Sequence, residues 1–437
     1  MSNLLISPGS DVISALYRKL NWRLLPLLFI CYVFAYLDRI NVGFAKMQMQ
    51  SDLGLSDAAY GAGAGVFFLG YVLFEIPSNL MLPRVGARKT FSRILVCWGI
   101  TSACMLFVRN VPMFYAMRFL LGVFEAGFAP GMIYYLSCWY GPKRMARAIA
   151  IVFIAGPVGG IIGGPLSAWL ITTFEGVGGL AGWQWMFLLE GLPCVFLGIL
   201  MFFVLANRPA EARWLSVEEK RLLECELGSS SSHAHSFRAV LRDPSIYILA
   251  SAYFCIIFSI YAFSFWLPAL IKAQGVNDMM QLGWYAAIPY IAAAFGMYWI
   301  GRRSDRVGER RFHCAIPAGI GAALILIYPF ADGNLALSIS LLTLATAMMF
   351  MAYTVLWAMP SELIKGEAAA GGIALINTIG LSGGFWGPAV IGWAKTATGS
   401  MTPGIVAVGC VFLCGALIIF ANKPLTRKRL VAEYNPG

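Results

Sequence analysis

The sequence predicts an all-α membrane protein of twelve transmembrane helices, arranged as two pseudosymmetric six-helix bundles with both termini cytoplasmic. Three observations predict it. The chain is 59% hydrophobic and only 12% charged, with a mean hydropathy of +0.73; soluble domains carry about 25% charged residues. Twelve apolar runs follow one another, each near the ~20 residues that a span requires. A basic loop sequence then recurs once in each half.

The twelve runs cover residues 22–45, 58–81, 91–109, 112–137, 147–171, 184–206, 245–271, 282–301, 313–330, 335–362, 368–395 and 402–422. Residues 1–21 lack the apolar core and small-residue cleavage site of a removable signal, so the first run is read as a retained span. An even number of spans puts both termini on one side. Most of the 32 lysines and arginines fall on that side, whereas the opposite loops and ends hold only Lys46, Arg109, Lys272 and Lys395. Positive loops face the cytoplasm. The net charge of +11 is thereby explained by topology, and nucleic-acid binding is not expected. Ten cysteines lie mostly inside apolar runs without a CxxC pair and read as small hydrophobes.

The longest polar connection, 207–244, separates six spans from six, giving an N-terminal bundle over 1–206 and a C-terminal bundle over 245–437. Its first part suits a short amphipathic helix. Its serine run, with His233 and His235, suits a flexible linker. The halves repeat. NLMLPRVGARK (79–89) follows span 2 and GRRSDRVGERR (301–311) follows span 8. Similarly, ANRP (206–209) follows span 6 and ANKP (421–424) follows span 12. Repeats of this kind place a substrate site near the bilayer midplane, between the halves.

Few ionisable residues lie within the spans: Asp38 and Arg39 in span 1, Glu75 in span 2, Arg118 and Glu125 in span 4, Glu190 in span 6 and Glu362 near the end of span 10. Each costs a few kcal/mol at a helix centre, so each needs a reason. Asp38 and Arg118 both lie about six residues from the outer surface, ~9 Å by helical rise, and are candidates for a salt bridge. Arg118 and Glu125, seven apart, share one face of span 4. Asp38, Arg118 and Glu125 are therefore expected to form one polar column. Arg39, ~100° around the helix from Asp38, is expected to face the cavity. Arginine stays charged and grips carboxylates bidentately, while a neighbouring acid can take or release a proton. The set can exchange a substrate carboxylate for a proton. Glu75 is a weaker coupling candidate and Glu190 weaker still. GFAPG (127–131), GPVGGIIGGP (156–165) and GGFWGP (383–388) read as packing and hinge sequences. Tyr36, Tyr71, Trp357 and Asn377 are cavity candidates, with Phe263 and Trp266 behind them.

GRRSDRVGERR resembles the cytoplasmic loop signature of the major facilitator superfamily, and the resemblance extends over nearly the whole chain. It implies the major facilitator fold and a loop that latches the cytoplasmic side, here Asp305, Arg306 and Gly308. The first copy departs from the signature, with Asn79 for glycine and Pro83 for aspartate. LDRINVGFA, FFLGYVLFEIPSN and RFLLGVFEAGFAPG are similar to the anion:cation symporter branch, closest to tartrate- and phthalate-type permeases. That resemblance implies proton carriage by Asp38 and Glu125, linked by Arg118. It also implies substrate contacts from Arg39, Tyr36, Tyr71, Thr354, Trp357 and Asn377. Where some members have a glutamine in span 5, this chain has Ala155 and Gly156, which leaves room for a flatter or more apolar acid.

The expected function is proton-coupled import of a small organic carboxylate, tartrate-, phthalate- or sugar-acid-like, across a bacterial inner membrane. The expected partners are the anion, protons and lipid, with no cofactor or metal, and the expected state is a monomer. A carboxylate exchanger without net proton flow is the alternative, and a transporter-like sensor a further one. No HExxH, GxSxG or metal-ligand cluster lies on a span, so an enzyme is not expected.

Overall fold

The structure is a computed structural model and describes residues 10–228, 242–360 and 368–421. His233, His235, Glu362 and the second ANKP motif after Ala421 lie outside the described residues.

Helices form where the apolar runs predict them, and polar caps end them. The first two, α1 (Ser10–Ile40) and α2 (Val42–Leu53), form one long element broken at Asn41. Span 1 is therefore longer at both ends than 22–45. Leu16, Tyr17 and Leu20 are buried, so the supposedly polar leader packs as helix. Ser56 caps α3 (Asp57–Val85), accepting from the Ala59 amide at 3.1 Å. After α4 (Ala87–Ala103), Asn110 caps α5 (Val111–Glu125) through the Met113 amide at 2.9 Å. Span 4 is also broken. It resumes as α6 (Phe128–Ser137) after Gly127, whose φ of +87° suits glycine. Span 5 comprises α7 (Pro142–Phe153) and α8 (Ala155–Thr173), and span 6 is α9 (Gly182–Val204). The predicted amphipathic helix of the connection is α10 (Val217–Gly228).

The second half repeats the pattern with α11 (Pro244–Ala273), α12 (Met279–Val307), α13 (Arg311–Ile327), α14 (Leu335–Leu356), α15 (Ala368–Leu381), α16 (Gly383–Thr398) and α17 (Thr402–Ala421). The repeat is visible in detail. Helices α3 and α12 are both 29 residues long and both end at a left-handed-region glycine, Gly86 (φ +89°) and Gly308 (φ +69°). Among the described residues, eleven helices are long and apolar enough to cross a membrane. The remaining predicted span lies in α12. Its apolar stretch is rich in tyrosine and tryptophan, which are amphipathic rather than strongly hydrophobic. Large side chains such as Phe196, Phe295 and Trp393 stay exposed on the flanks, as a lipid-facing surface allows.

Within each half, α4 lies along α9, α3 along α5, and α13 along α17 and α14. Two seams join the halves: α3 against α16, and α8 against α12. Small residues make them close. A Cβ on Gly61 would lie 2.5 Å from the Pro388 carbonyl oxygen, and one on Gly164 would lie 2.6 Å from that of Gly283. Both close approaches hold the halves together at the end of the molecule away from Ser10 and Ala421, the closed end. The glycine-rich runs thus act in packing, as expected.

Candidate functional site

The helix break at Asn41 and the one after Glu125 bring spans 1 and 4 together at their charged residues. Arg39 and Glu125 are both buried and form an ion pair. Arg39 Nε donates to Glu125 Oε1 at 2.7 Å, and Nη2 donates to the same oxygen. Among the described residues Glu125 Oε2 is buried with no hydrogen-bond partner. Arg39 Nη1 donates to the Tyr261 hydroxyl of α11 at 3.0 Å, so the guanidinium also contacts the second half. Its carbon lies 5.3 Å from the Tyr71 ring centre and 5.5 Å from that of Phe67. Stacking of this kind favours the cation.

The expected polar column is therefore corrected. Glu125 pairs with Arg39, the residue assigned to the cavity, and Asp38 makes no ion pair with Arg118 among the described residues. Asp38 leaves span 1 on a different face, where it accepts from Trp98 Nε1 at 2.6 Å, from the Ser102 hydroxyl, and from Asn41 Nδ2 at 3.2 Å. Three donors replace the guanidinium. Arg118 is fully buried, donates to the Ala64 carbonyl at 3.2 Å, and lies 5.2 Å from the Phe67 ring centre. Its Nε and Nη1 have no hydrogen-bond partner among the described residues. One phenylalanine thus lies beside both arginines.

The second half contributes differently from the expectation. Asn377 Nδ2 donates to Glu75 Oε1, joining the halves, and its Oδ1 accepts from the Tyr253 hydroxyl at 3.4 Å. Trp357 packs edge-on against Tyr253, with ring centres 5.1 Å apart. Tyr36 packs against Tyr290 and Phe350, at 6.1 and 6.4 Å. Gly156 faces the Tyr36 ring, so no polar side chain stands there. Thr354 donates its hydroxyl to the Phe350 carbonyl of its own helix. Phe263 and Trp266 are both buried. Trp266 lies at the closed end, where its ring centre is 4.3 Å from Lys46 Nζ.

That closed end holds charges that the sequence reading left in the outer loops. Lys46 is buried and pairs with Asp57 at 2.8 Å, while Lys395 from the second half reaches Asp57 at 3.3 Å. At the other end, Asp305 pairs with Arg310 of its own loop at 2.6 Å, and Arg306 is exposed. In the same loop, burial raises the Glu309 carboxyl. Bonds from the Phe312 and His313 amides and the His313 ring outweigh it, and Glu309 lies below the ordinary carboxylate range.

Asn41, Trp98, Ser102, Ser167 and Tyr261 escaped the sequence reading. Only Asn41 left a signal, an amide three residues from Asp38 on the same helix face. The others read as ordinary core residues.

Comparison with known proteins places the chain. A family model described as Major Facilitator Superfamily matches residues 28–388. The chain is 44% identical to the "Putative metabolite transport protein NicT" of Pseudomonas putida, over 95% of this chain and 96% of that one. It is 41% identical to a "Putative tartrate transporter" of Agrobacterium vitis, over 97% of each. A solved bacterial homologue of the human lysosomal transporter Spinster, described as inward-facing and occupied, superposes with a TM-score of 0.76 at 16% identity. The match covers 94% of this chain and 98% of that chain and shows the shared fold. The chain is a multi-pass membrane transporter, not an enzyme, and belongs to the major facilitator superfamily.

Proposed function

We propose that the chain imports a small organic carboxylate together with protons, across a bacterial inner membrane, by alternating access. The observation that carries this reading is the Arg39–Glu125 pair. Both donors on one edge of the guanidinium converge on a single carboxylate oxygen. A substrate carboxylate needs that edge, because bidentate pairing is how arginine grips an anion. Protonation of Glu125 weakens its hold and frees Arg39. Coupling also has an energetic rationale. Each negative charge moving inward opposes ~2.3 kcal/mol per 100 mV of inside-negative potential, and co-transported protons offset it.

Arg39, Tyr36, Tyr71, Thr354, Trp357 and Asn377 are the proposed substrate contacts. Glu125 and Asp38 are the proposed proton carriers, with Arg118 within electrostatic reach of both and bonded to neither among the described residues. The substrate class is tartrate-, phthalate- or sugar-acid-like. The aromatic lining around Tyr36 and the glycine at 156 favour its flatter members. The relative named for tartrate transport supports a carboxylate. Residues 1–206 and 245–437 act as the two rocking bundles of a monomer with cytoplasmic termini. Asp305, Arg306 and Gly308 latch the cytoplasmic side in the alternate state.

Proteoliposome uptake of tartrate, phthalate and a sugar acid tests the reading. An imposed inward proton gradient should drive accumulation of at least one acid, and collapsing it should stop accumulation. If accumulation ignores the proton gradient and follows only a carboxylate loaded inside, the chain is an exchanger.

A further inference from the structure

Glu190 is a buried carboxylate that the mechanism above does not use. It lies on α9, opposite α1 and α8. Asn41 Nδ2 donates to its Oε2 at 2.9 Å and to Asp38 Oδ1 at 3.2 Å, so one amide nitrogen bridges two acids. Ser167 Oγ lies 2.8 Å from Glu190 Oε1. All four side chains are buried. Among the described residues neither acid has a lysine, arginine or histidine nitrogen within ion-pair distance. Other titratable groups near the pair are Arg118 and Glu125 on α5, both within electrostatic reach of Asp38, and the thiols of Cys31 on α1 and Cys194 on α9.

Two ionised carboxylates cannot stand bridged by a neutral amide inside a membrane protein without a cation between them. The hydrogen-bond inventory says which acid is neutral. Indole and amide N–H groups can only donate. Trp98 therefore engages Asp38 Oδ2, and Asn41 engages Asp38 Oδ1, as acceptors. Asp38 thus has an obligate donor on each oxygen, with the Ser102 hydroxyl beside Oδ1, as suits a carboxylate. Glu190 has an obligate donor on Oε2 only. Its Oε1 faces a serine hydroxyl, which can accept as readily as it donates.

We propose that Glu190 is a proton-binding site, carrying the proton on Oε1 and donating it to Ser167 Oγ, while Asp38 is ionised. The two acids form one proton-holding unit through Asn41. When the proton leaves, Glu190 becomes a carboxylate and the Ser167 hydroxyl turns to donate back to it. Among the described residues Asn41 Oδ1 is a buried acceptor without a hydrogen-bond partner. Proton residence on Glu190 stands without the transport reading, whereas release of that proton during import rests on it.

Infrared spectroscopy of the purified full chain tests the site without any transport. At neutral pH the wild type should show a carboxylic acid carbonyl-stretch band that is absent from Glu190→Gln and so stands out in the wild-type minus Glu190→Gln difference. Ser167→Ala, which keeps the acid but removes its acceptor, should retain the band and shift it to higher frequency. A wild-type spectrum that Glu190→Gln leaves unchanged overturns the proposal. Should Glu190→Gln fail to fold, an unshifted spectrum in Ser167→Ala overturns it equally. Failure here leaves proton-driven uptake to be judged on its own measurement.

Discussion

Arg39 holds Glu125 by one oxygen only: Nε and Nη2 both donate to Oε1, while Oε2 is buried without a partner. The acid is thus bound firmly and left with a lone-pair position for a proton. The arginine is meanwhile committed to an internal anion that an external one must displace.

Arg39→Lys should bind substrate about ten- to a hundred-fold more weakly at near-normal expression. An ammonium is a point charge and cannot place two donors side by side while a third reaches Tyr261. Losing charge-assisted bonds of this kind costs roughly 1.5–3 kcal/mol. Binding of the carboxylate panel to the purified variant measures it. Wild-type affinity in both Arg39→Lys and Arg39→Ala would remove Arg39 as the anchor.

Asn377→Ala should both destabilise the protein and alter substrate choice. The amide donates to Glu75 across the halves, and the other Glu75 oxygen already lacks a partner. Leaving a buried acceptor unmade costs about 1–3 kcal/mol. A thermal melt should fall accordingly, and affinities across the panel should change order. Trp357→Ala should also change the order, because it removes the ring packed edge-on against Tyr253. Unchanged affinities in both variants would refute the assignment of these residues to the substrate cavity.

Lys19 ties α1 to α10 by bonding both Glu219 oxygens, at 2.9 and 2.8 Å. This bond holds the Glu219 carboxyl below its ordinary value, against a small opposing effect of burial and with help from the Ser216 amide. A lowered carboxylate stabilises the folded state above its unfolded pKa and loses that contribution as pH falls through the folded one. Glu219→Gln should therefore melt slightly below wild type at neutral pH, by under about 1 kcal/mol for a pair this exposed. The two melts should converge in acid. A difference that grows as pH falls would contradict the ion pair.

The span pattern was legible because helix length and apolar run coincide, and the repeat because Gly86 and Gly308 each end a 29-residue helix at a positive φ. The glycine-rich run at 156–165 announced close packing, and its Gly164 lies at a seam. The pairing of charges was not legible. Depth along a span can be counted, and it placed Asp38 level with Arg118. The direction in which each side chain leaves its helix depends on neighbours that are distant in sequence. Trp98 and Ser102 supply Asp38 with donors, yet inside an apolar run they look like core. The ~100° separation of Asp38 and Arg39 was read correctly; which neighbour met each was not.

Gly61→Ala should open the closed end. The added methyl would lie 2.5 Å from the Pro388 carbonyl, a backbone atom that cannot swing aside. Overpacking of this sort costs about 1–3 kcal/mol, and separating α3 from α16 relieves it. The melt should drop and turnover should slow, with affinity for the acid less affected. If Gly61→Ala melts and transports like wild type, the two helices are not this close in the working cycle.

Glu125→Gln gives the sharpest test of coupling. The amide keeps the size of the acid and imitates its protonated form, but it can neither release nor regain a proton. Its oxygen can still accept from Arg39, though without charge, so the guanidinium is held less firmly and an incoming carboxylate competes better. Substrate affinity should therefore be retained or modestly increased. Accumulation driven by a proton gradient should fail, since the step that returns Arg39 to an internal anion is gone. Exchange of bound for free substrate requires no such return and should persist. Proton-driven uptake and counterflow, measured on the same proteoliposomes, separate the two. Wild-type accumulation by Glu125→Gln would end the coupling role of this residue. The test would then pass to Glu75, which touches both halves through Asn377 and is the next buried acid in line between them.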